Sequence, residues 1–185
     1  MNESVKSFKM GDELYEKPDC LWLIIDGVVK SYTVDRQGKT IILGFWGKQE
    51  LVSKSLSSID PYFLQCAKEV KASVVPLSQA RIYSDLLLAR IEQIQQLSYI
   101  VQEPQIKNRV WLLLKWLADK FGREVEGGKL IDFELTVQEL ADSVGINRVV
   151  ANQTLKLLER EGLIFSSQTQ HTILKTNSAA DLNTP

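Results

Sequence analysis

The sequence predicts an α+β protein in which short β-strands come first, a long helix follows, and a second group of helices ends in a β-hairpin. Turn signals separate short apolar segments as far as Pro76. The apolar spacing then becomes helical between Ser78 and Val101, and two further helical patterns flank Gly145 ahead of two strand-like segments. A chain of 185 residues could form one large domain or two small ones and is long enough for hydrophobic cores.

Composition is that of a soluble globular protein. Hydrophobic residues make up 44% of the chain, charged residues 24%, and the formal net charge is -1. This net charge gives no indication of nucleic-acid binding. A local basic surface is still compatible with it, because the attraction of a nucleic acid depends on where the charges lie. The N-terminus lacks the apolar run of a signal peptide, and no segment is long enough to span a bilayer. We therefore expect a cytoplasmic protein without a membrane partner.

The sequence lacks the ligand sets of common metal and haem centres. Cys20 and Cys66 are its two cysteines and His171 is its single histidine. Structural zinc and iron–sulfur centres use sets of about four cysteine or histidine ligands, and haem needs an axial ligand such as histidine. We expect buried free thiols and no metal, haem or iron–sulfur cofactor. A cupin-type enzyme is not expected either, because its metal site uses several histidines.

The N-terminal part is predicted to form a small antiparallel barrel or sandwich. Residues 1–9 are polar and are expected to be frayed. Turn signals such as Asp26-Gly27 and Asp60-Pro61 fall between the apolar segments. After an opening segment at Phe8–Gly11, the predicted strands are Leu21–Ile25, Val28–Val34, Thr40–Trp46, Glu50–Ser53, Phe63–Lys68 and Ala72–Pro76.

Two apolar stripes run along the helical segment between Ser78 and Val101. One has the alternating spacing of a coiled-coil seam. Two stripes imply two partners, the chain's own barrel and the same helix of a second subunit; a helix buried wholly within one domain is the alternative. The seam consists of Ala80, Ser84, Leu87, Ile91, Ile94, Ser98 and Val101, and the second stripe of Ile82, Leu86, Leu97 and Ile100. The predicted dimer-interface residues are Leu87, Ile91, Ile94, Ser98 and Val101.

Pro104 is predicted to end this helix, because proline forces the preceding residue toward an extended conformation. The domain boundary is placed there. A second amphipathic helix is expected from about Gln105 to Phe121, and Gly127-Gly128 then turns the chain into a short strand, Leu130–Phe133. The inward residues of that helix are Ile106, Val110, Leu113, Leu114, Leu117 and Phe121.

A helix-turn-helix is predicted between Leu135 and Ile164. The first helix has apolar residues at helical spacing, Gly145 supplies the turn, and Asn147 is a good N-cap for the second helix. The apolar positions are Val137, Leu140, Ala141 and Val144 in the first helix and Val150, Ala151, Leu155 and Leu158 in the second, with Leu157 as a further candidate. Another face of the second helix carries Arg148, Asn152, Gln153 and Lys156.

A β-hairpin is predicted directly after these helices. Its strands are Gly162–Phe165 and Thr172–Leu174, joined by the polar turn Ser166–Gln170. A helix-turn-helix alone could be an ordinary helical hairpin with a solvated face. With such a wing it has a DNA-binding layout, in which the second helix enters the major groove and flanking parts contact phosphates.

The residues now carry a resemblance to the Crp/Fnr family of transcription regulators. In the C-terminal part it rests on T-V-Q-E-L-A, G-I-N-R and L-K-L-L-E-R-E-G-L-I, and in the N-terminal part on F-K-M-G-D, L-W-L-I-I-D-G-V-V-K-S-Y and D-R-Q-G-K-T. The resemblance implies a jelly-roll (double-stranded β-helix) sensor-like domain at 1–77, shortened before Phe8, a dimerisation helix at 78–103 and a winged helix-turn-helix at 104–175. The small polar tail at 176–185 is expected to be disordered.

The resemblance also implies a homodimer that is not an enzyme and binds a two-fold symmetric site in double-stranded DNA, with RNA polymerase as a candidate partner. Arg148 matches the family's first base-contacting arginine, and an arginine fork can bond guanine. Val149 replaces the usual glutamate, as in the cyanobacterial nitrogen-control branch, and Gln153 replaces a second arginine. We therefore expect a DNA target sequence that differs from the family's usual half-site. The predicted base contacts are Arg148, Val149, Asn152 and Gln153, and the predicted phosphate contacts are Gln138, Asn147 and Lys156.

The sensor half departs further from the family pattern. Ser53-Lys54 replaces the glycine–glutamate pair that holds a cyclic nucleotide, and no arginine occurs between Ser53 and Arg81. Without that arginine the phosphate loses its bidentate partner, so cyclic AMP binding in the family manner is not expected. One branch of the family binds 2-oxoglutarate, and the resemblance would give Arg90 on the long helix a role in such a site. The arginine that this branch carries in the barrel is missing here as well. We expect no small effector, or an unknown one; a degenerate member acting as a protein-interaction or heterodimer subunit is the alternative function.

Overall fold

The computed structural model describes residues 5–15, 19–166 and 172–174. The chain divides into two compact units, Met1–Val101 and Gln102–Pro185, each of which is described by itself. The tail predicted to be disordered, His171 and residues 167–170 of the turn expected at Ser166–Gln170 lie outside the described residues.

Two antiparallel sheets build the first unit. Its strands are β1 (Lys6–Phe8), β2 (Cys20–Asp26), β3 (Val29–Val34), β4 (Thr40–Trp46), β5 (Leu51–Val52), β6 (Phe63–Cys66) and β7 (Val70–Pro76). One sheet has the order β1-β7-β2-β5 and the other β4-β3-β6. The six strands predicted from Leu21 onward are all present, because turn residues and apolar alternation mark both their ends and their buried faces.

The expectation of a frayed N-terminus is wrong for residues 6–8. They form β1, whose residues Lys6 and Phe8 pair with Ala72 and Val70 of β7. The Phe8 ring meets Trp22 edge-on, with 5.4 Å between ring centroids. A single aromatic anchor and the outer edge of β7 therefore order a segment whose composition alone is polar.

Large apolar side chains from both sheets form the core of this unit. Trp46 is 2% exposed, and its indole nitrogen donates a hydrogen bond of 2.8 Å to the hydroxyl of buried Ser31. Gly27, in the turn between β2 and β3, has a φ of +93°, and a Cβ there would lie 2.0 Å from the carbonyl oxygen of Glu69. The turn is thus closed to any side chain.

Helix α1 (Ser84–Gln102) follows a 3-10 helix at Leu77–Tyr83, so the first part of the segment predicted as one regular helix has a tighter winding. This change of period explains one wrong expectation. Ile82 belongs to the second apolar stripe of the sequence pattern, but it is 75% exposed because the 3-10 turn does not keep it in register with the residues of α1. The helix ends at Gln102, two residues before Pro104.

One side of α1 is fixed to the first unit by polar contacts as well as apolar ones. Gln93 is 6% exposed and donates from its side-chain amide to the Phe45 carbonyl at 2.8 Å. Arg90 donates to the Leu51 carbonyl at 3.0 Å, and its guanidinium carbon lies 3.9 Å from the centroid of the Trp46 ring. These contacts orient the helix about its own axis.

The second unit contains three helices and a four-stranded sheet. Its elements are α2 (Ile106–Phe121), β8 (Gly122–Val125), β9 (Gly128–Ile131), α3 (Val137–Val144), α4 (Arg148–Arg160), β10 (Ile164–Ser166) and β11 (Thr172–Leu174). The strand order is β10-β11-β9-β8. Of the predicted inward residues of α2, Ile106 is 39% exposed, because the buried face begins one turn later at Val110.

Strand β8 was not predicted. Its sequence, G-R-E-V, has no apolar alternation, and it pairs with β9 as the outer strand of the sheet. Two ion pairs accompany the hairpin: Lys129 Nζ of β9 lies 3.0 Å from a carboxylate oxygen of Asp119, and Arg123 Nε of β8 lies 3.6 Å from a carboxylate oxygen of Asp132. The predicted strand Leu130–Phe133 is therefore the second half of a hairpin that starts earlier and ends at Ile131.

No helix in the described part of the chain is long and apolar enough to cross a membrane. Within the same residues, no group of three or more histidine, cysteine, aspartate or glutamate side chains is placed to hold a metal ion. Both cysteines are free, but only Cys66 is buried as expected, whereas Cys20 is half-buried at the start of β2.

Candidate nucleic-acid interface

The first helix of the predicted helix-turn-helix, α3, begins with a complete capping box. The Thr136 hydroxyl accepts from the Glu139 backbone N–H at 3.1 Å, and the Glu139 carboxylate accepts from the Thr136 backbone N–H at 2.8 Å. Two backbone donors that the helix cannot satisfy internally are thereby paired. The start of α3 is fixed by its own sequence.

Gly145 makes the turn between the two helices. It has a φ of +71°, in the left-handed region, and its N–H bonds to the Ala141 carbonyl. The same carbonyl accepts from Ile146 at 3.1 Å. This is the turn predicted from the sequence, and it leads directly into Asn147.

The N-cap predicted at Asn147 is confirmed. Its side-chain oxygen accepts from the Val150 backbone N–H at 2.9 Å. Helix α4 then packs its apolar side inward, with Ala151, Leu155 and Leu158 buried, whereas Leu157, the further candidate for this side, is 41% exposed. Thr154 is buried among them, and its hydroxyl bonds to the Val150 carbonyl at 2.8 Å, which satisfies the one polar group on that side.

The opposite side of α4 brings together the predicted base-contacting residues. All of these side chains are exposed, including the apolar Val149 at 66%. They occupy the first three turns of the helix on one face, a spacing that suits insertion into a major groove. The face consists of Arg148, Val149, Asn152, Gln153 and Lys156.

Of the remaining predicted phosphate contacts, Gln138 lies in the first turn of α3 and Asn147 at the N-cap of α4, and both are accessible to solvent. Gln138 donates from its side-chain amide to the Asp142 carboxylate at 2.8 Å. Asp142 is 7% exposed and was not predicted as a functional residue. The i, i+4 spacing of the two residues is the signal that could have found it.

The first strand of the predicted wing is tied to α4. The Ser166 backbone N–H donates to the Glu159 carboxylate at 3.2 Å. Strands β10 and β11 pair antiparallel in the register Ile164↔Leu174, so the two strands expected after α4 are present. The first runs from Ile164 to Ser166 and not from Gly162 to Phe165, so Ser166 belongs to the strand and not to the turn. Phe165 is 55% exposed.

The predicted dimer-interface residues lie on α1 in the first unit. Ile91 is 53% exposed, Ile94 45% and Val101 41%, and Ser98 is exposed as well. Leu87 differs from them: it is half-buried and packs against the cluster of Leu21, Leu51 and Val75 in its own unit. Four of the five residues thus leave an accessible face.

The side chains of Ser53 and Lys54, which replace the glycine–glutamate pair of a nucleotide site, both form hydrogen bonds within the first unit. The Ser53 hydroxyl is buried, donates to the Cys20 carbonyl at 2.8 Å and accepts from the Ser55 N–H at 3.0 Å. The Lys54 ammonium bonds to the Ile59 carbonyl and to the Asp60 carboxylate, the latter at 2.8 Å.

Comparison with known proteins agrees with this layout. The Crp-like helix-turn-helix domain family matches residues 108–178. The Regulatory protein CysR of Synechococcus elongatus is 32% identical over 148 residues, which cover 78% of this chain and 71% of that protein.

Solved structures show the same fold. A transcriptional regulator of the CRP/FNR family from Thermus thermophilus superposes with a TM-score of 0.77 at 22% identity, over 93% of this chain and 94% of that chain. A second regulator, of the CRP family and from the same organism, gives 0.79 at 18% identity, over 92% and 91% of the two chains.

The α+β architecture predicted from the sequence, a jelly roll, a long helix and a winged helix-turn-helix, is therefore confirmed. The relatives are transcription regulators and not enzymes. The chain is a DNA-binding transcription regulator, and it belongs to the Crp/Fnr family.

Proposed function

We propose that the protein acts as a homodimer that binds a two-fold symmetric DNA site and does so without a cyclic nucleotide. The observation that carries the proposal is the exposed face at the start of α4, headed by Arg148. Such a face reads base edges when the helix enters the major groove. A DNA-binding regulator acts where the DNA is, so we place the protein in the cytoplasm. RNA polymerase is a candidate partner.

Arg148 is the principal base contact in this proposal. Its guanidinium fork matches the two acceptors of guanine, and one such pair discriminates against a wrong base by about 1–3 kcal/mol. Val149 offers only a methyl contact to thymine, whereas the amides of Asn152 and Gln153 suit adenine. The target sequence should therefore combine a guanine with neighbouring A·T pairs.

Phosphate contacts fix the register of the protein on the duplex. Gln138 and Asn147 offer side-chain amides, and Lys156 offers a positive charge on the exposed face of α4. The N-terminus of α4 also attracts phosphate oxygens, because the first backbone N–H groups of a helix point out of its end and form the positive end of its dipole. These contacts supply affinity that does not depend on sequence.

The exposed face of α1 supports the homodimer. Ile91, Ile94 and Val101 are between 41% and 53% exposed, although each is apolar. They recur at the spacing of a coiled-coil seam, and the other side of α1 is already held by Arg90 and Gln93. A second copy of α1 would remove these side chains from water, which stabilises by roughly 25 cal/mol per Å² of apolar surface.

The contacts of the first unit support a protein that needs no cyclic nucleotide. The Ser53 hydroxyl and the Lys54 ammonium already bond to neighbouring backbone and to Asp60. Arg90, which points from α1 toward the sheets, bonds to the Leu51 carbonyl and stacks on Trp46. A cyclic phosphate entering here would have to break these interactions to gain a charged partner.

Selection of bound fragments from random double-stranded DNA, followed by sedimentation of the complex, tests the proposal. We expect a two-fold symmetric motif, one dimer per site, and the same affinity with and without added cyclic AMP. Absence of any enriched motif would favour a protein-interaction or heterodimer subunit. Enrichment only with cyclic AMP would overturn the effector-free part of the proposal.

A further inference from the structure

Arg109, on α2, joins two backbone carbonyls that are distant in the sequence. Its Nε donates to the Glu103 carbonyl at 2.9 Å, and its Nη1 donates to the Val144 carbonyl at 3.0 Å. Glu103 belongs to the segment between α1 and α2, and Val144 is the last residue of α3. One half-buried side chain therefore connects the entry of the second unit to the turn of the helix-turn-helix.

The Val144 carbonyl is a suitable acceptor for a cation. The last carbonyls of a helix have no N–H partner within the helix, and they form the negative end of its dipole. The bonds that close the turn run from Gly145 and Ile146 to the Ala141 carbonyl, three residues before Val144. The guanidinium supplies a charge-assisted hydrogen bond at the point where the chain turns toward α4.

Hydrogen bonds also fix the segment around Glu103, at the other end of the Arg109 side chain. The Glu103 carboxylate accepts from the Gln105 N–H at 3.1 Å, and the Gln105 carbonyl accepts from the Arg109 N–H at 2.9 Å. Pro104 restricts the conformation of Glu103 that presents its carbonyl. The Arg109 side chain thus reaches back over the first turn of α2 to a short, constrained segment.

We propose that Arg109 is a positioning residue for DNA binding: its fork sets the orientation of α3, Gly145 and α4 relative to the Glu103–Gln105 segment. It would act through the Val144 carbonyl without touching DNA. A change in the backbone at Glu103 then alters α4 through this side chain. The proposal deepens the proposed function, because it assumes that α4 reads the bases. Lysine cannot substitute, since a single ammonium lacks the rigid two-nitrogen geometry that spans both carbonyls.

The substitution Arg109→Lys tests it, because net charge and attraction to phosphates are kept. We expect affinity for the selected site to fall about tenfold while affinity for random DNA is unchanged, since about one charged hydrogen bond is lost. Amide hydrogen exchange at Gly145 and Ile146 should become faster at unchanged global stability, which a merely stabilising contact would not produce. The matched control is Lys107→Gln on the same helix, which removes the ion pair with Glu161 at 3.1 Å and should leave the ratio of specific to random affinity unchanged.

A second variant, Pro104→Gly, relaxes the Glu103 segment without touching Arg109. It should lower the same affinity ratio, and in the double variant the two effects should be less than additive, because both act through one connection. An unchanged ratio in Arg109→Lys, or fully additive effects in the double variant, would overturn the proposal. Failure of the proposed function is distinguishable: it would appear as an unchanged ratio in Arg148→Ala, whatever Arg109 does.

Discussion

The side-chain amide of Gln138 donates a hydrogen bond to the Asp142 carboxylate, which lies 2.8 Å away and one turn later on α3. Gln138 is accessible on the surface proposed to meet DNA, whereas Asp142 is 7% exposed. The side-chain amide nitrogen of glutamine carries two hydrogens, so this bond orients the group and leaves a second donor for a phosphate oxygen. The buried carboxylate thus orients the side chain that we propose as a phosphate contact.

The first prediction concerns this pair. Asp142→Ala and Gln138→Ala should each weaken binding to selected and random DNA alike, by about threefold to tenfold, because a phosphate contact of about 1 kcal/mol carries no sequence information. The double variant should be hardly weaker than Gln138→Ala, and Asp142→Asn, which keeps an acceptor oxygen, should bind nearly as well as the natural protein. Affinity measured by fluorescence anisotropy decides it; additive losses would show that Asp142 does not act through Gln138.

A second prediction separates base reading from phosphate binding on α4. Arg148→Ala should remove about 1–3 kcal/mol of discrimination at one base pair, with little change in affinity for random DNA. Lys156→Ala, on the same exposed face, is the matched control: it should weaken binding to all sequences and reduce the slope of log affinity against log salt by about 1. The measurement is a salt titration on selected and scrambled sites. Equal losses on both sites for Arg148→Ala would contradict its role as a base contact.

The third prediction addresses the accessible face of α1. Replacing Ile91 and Ile94 together by lysine should convert the dimer to a monomer, since two like charges per helix would face each other in the seam. Ile82→Lys is the control, because Ile82 is 75% exposed and lies outside α1 in the preceding 3-10 helix. Sedimentation velocity at several concentrations reports the mass. A persistent dimer in the double variant would place the interface elsewhere.

A fourth prediction follows from Cys66. Burial, with a smaller contribution from the charge of Asp12, raises the pKa of its thiol to about 12. At neutral pH the group is therefore protonated, and it should alkylate far more slowly than half-buried Cys20 in the folded protein.

The raised pKa of Cys66 also makes the stability of the folded protein depend on pH. In the unfolded chain the thiol ionises near its ordinary pKa of 9.0, while the folded state keeps the proton until the pH approaches 12. Deprotonation thus favours the unfolded state, so stability is retained below 9.0 and declines as the pH rises above it. Denaturant unfolding of the natural protein and Cys66→Ala over this range should show the steeper decline in the natural protein; parallel curves would contradict the assignment.

Local signals explain what could be predicted from the sequence. The helix-turn-helix was located because Gly145 and Asn147 fix its turn and cap by their own chemistry, and the structure shows both. The strands after Leu21 were located because turns such as Asp26-Gly27 interrupt apolar alternation. The exposed face of α4 followed from the helical period alone.

Contacts between distant segments explain what was missed. Strand β8 is ordered by pairing with β9, and β1 by the edge of β7 and the ring of Trp22, none of which appears in the local pattern. Arg109 was overlooked for this reason, because the Val144 carbonyl lies 35 residues away and an arginine on a helix is ordinarily a solvated charge. Asp142 was overlooked although its partner Gln138 is only four residues away, because an aspartate on a helix is ordinarily solvated as well. The roles that we propose for these two residues rest on the Val144 carbonyl and the Gln138 amide to which they bond.

Gly145 and Gly27 share a positive φ but differ in how freely they can be replaced during divergence. A Cβ at Gly145 would find nothing within 4 Å, whereas one at Gly27 would collide with the Glu69 carbonyl at 2.0 Å. Asparagine and aspartate, which tolerate the left-handed region best among residues with side chains, are therefore admissible at the turn between α3 and α4. The turn that leads into α4 can therefore be substituted during evolution, while the turn at Gly27 between β2 and β3 admits glycine alone.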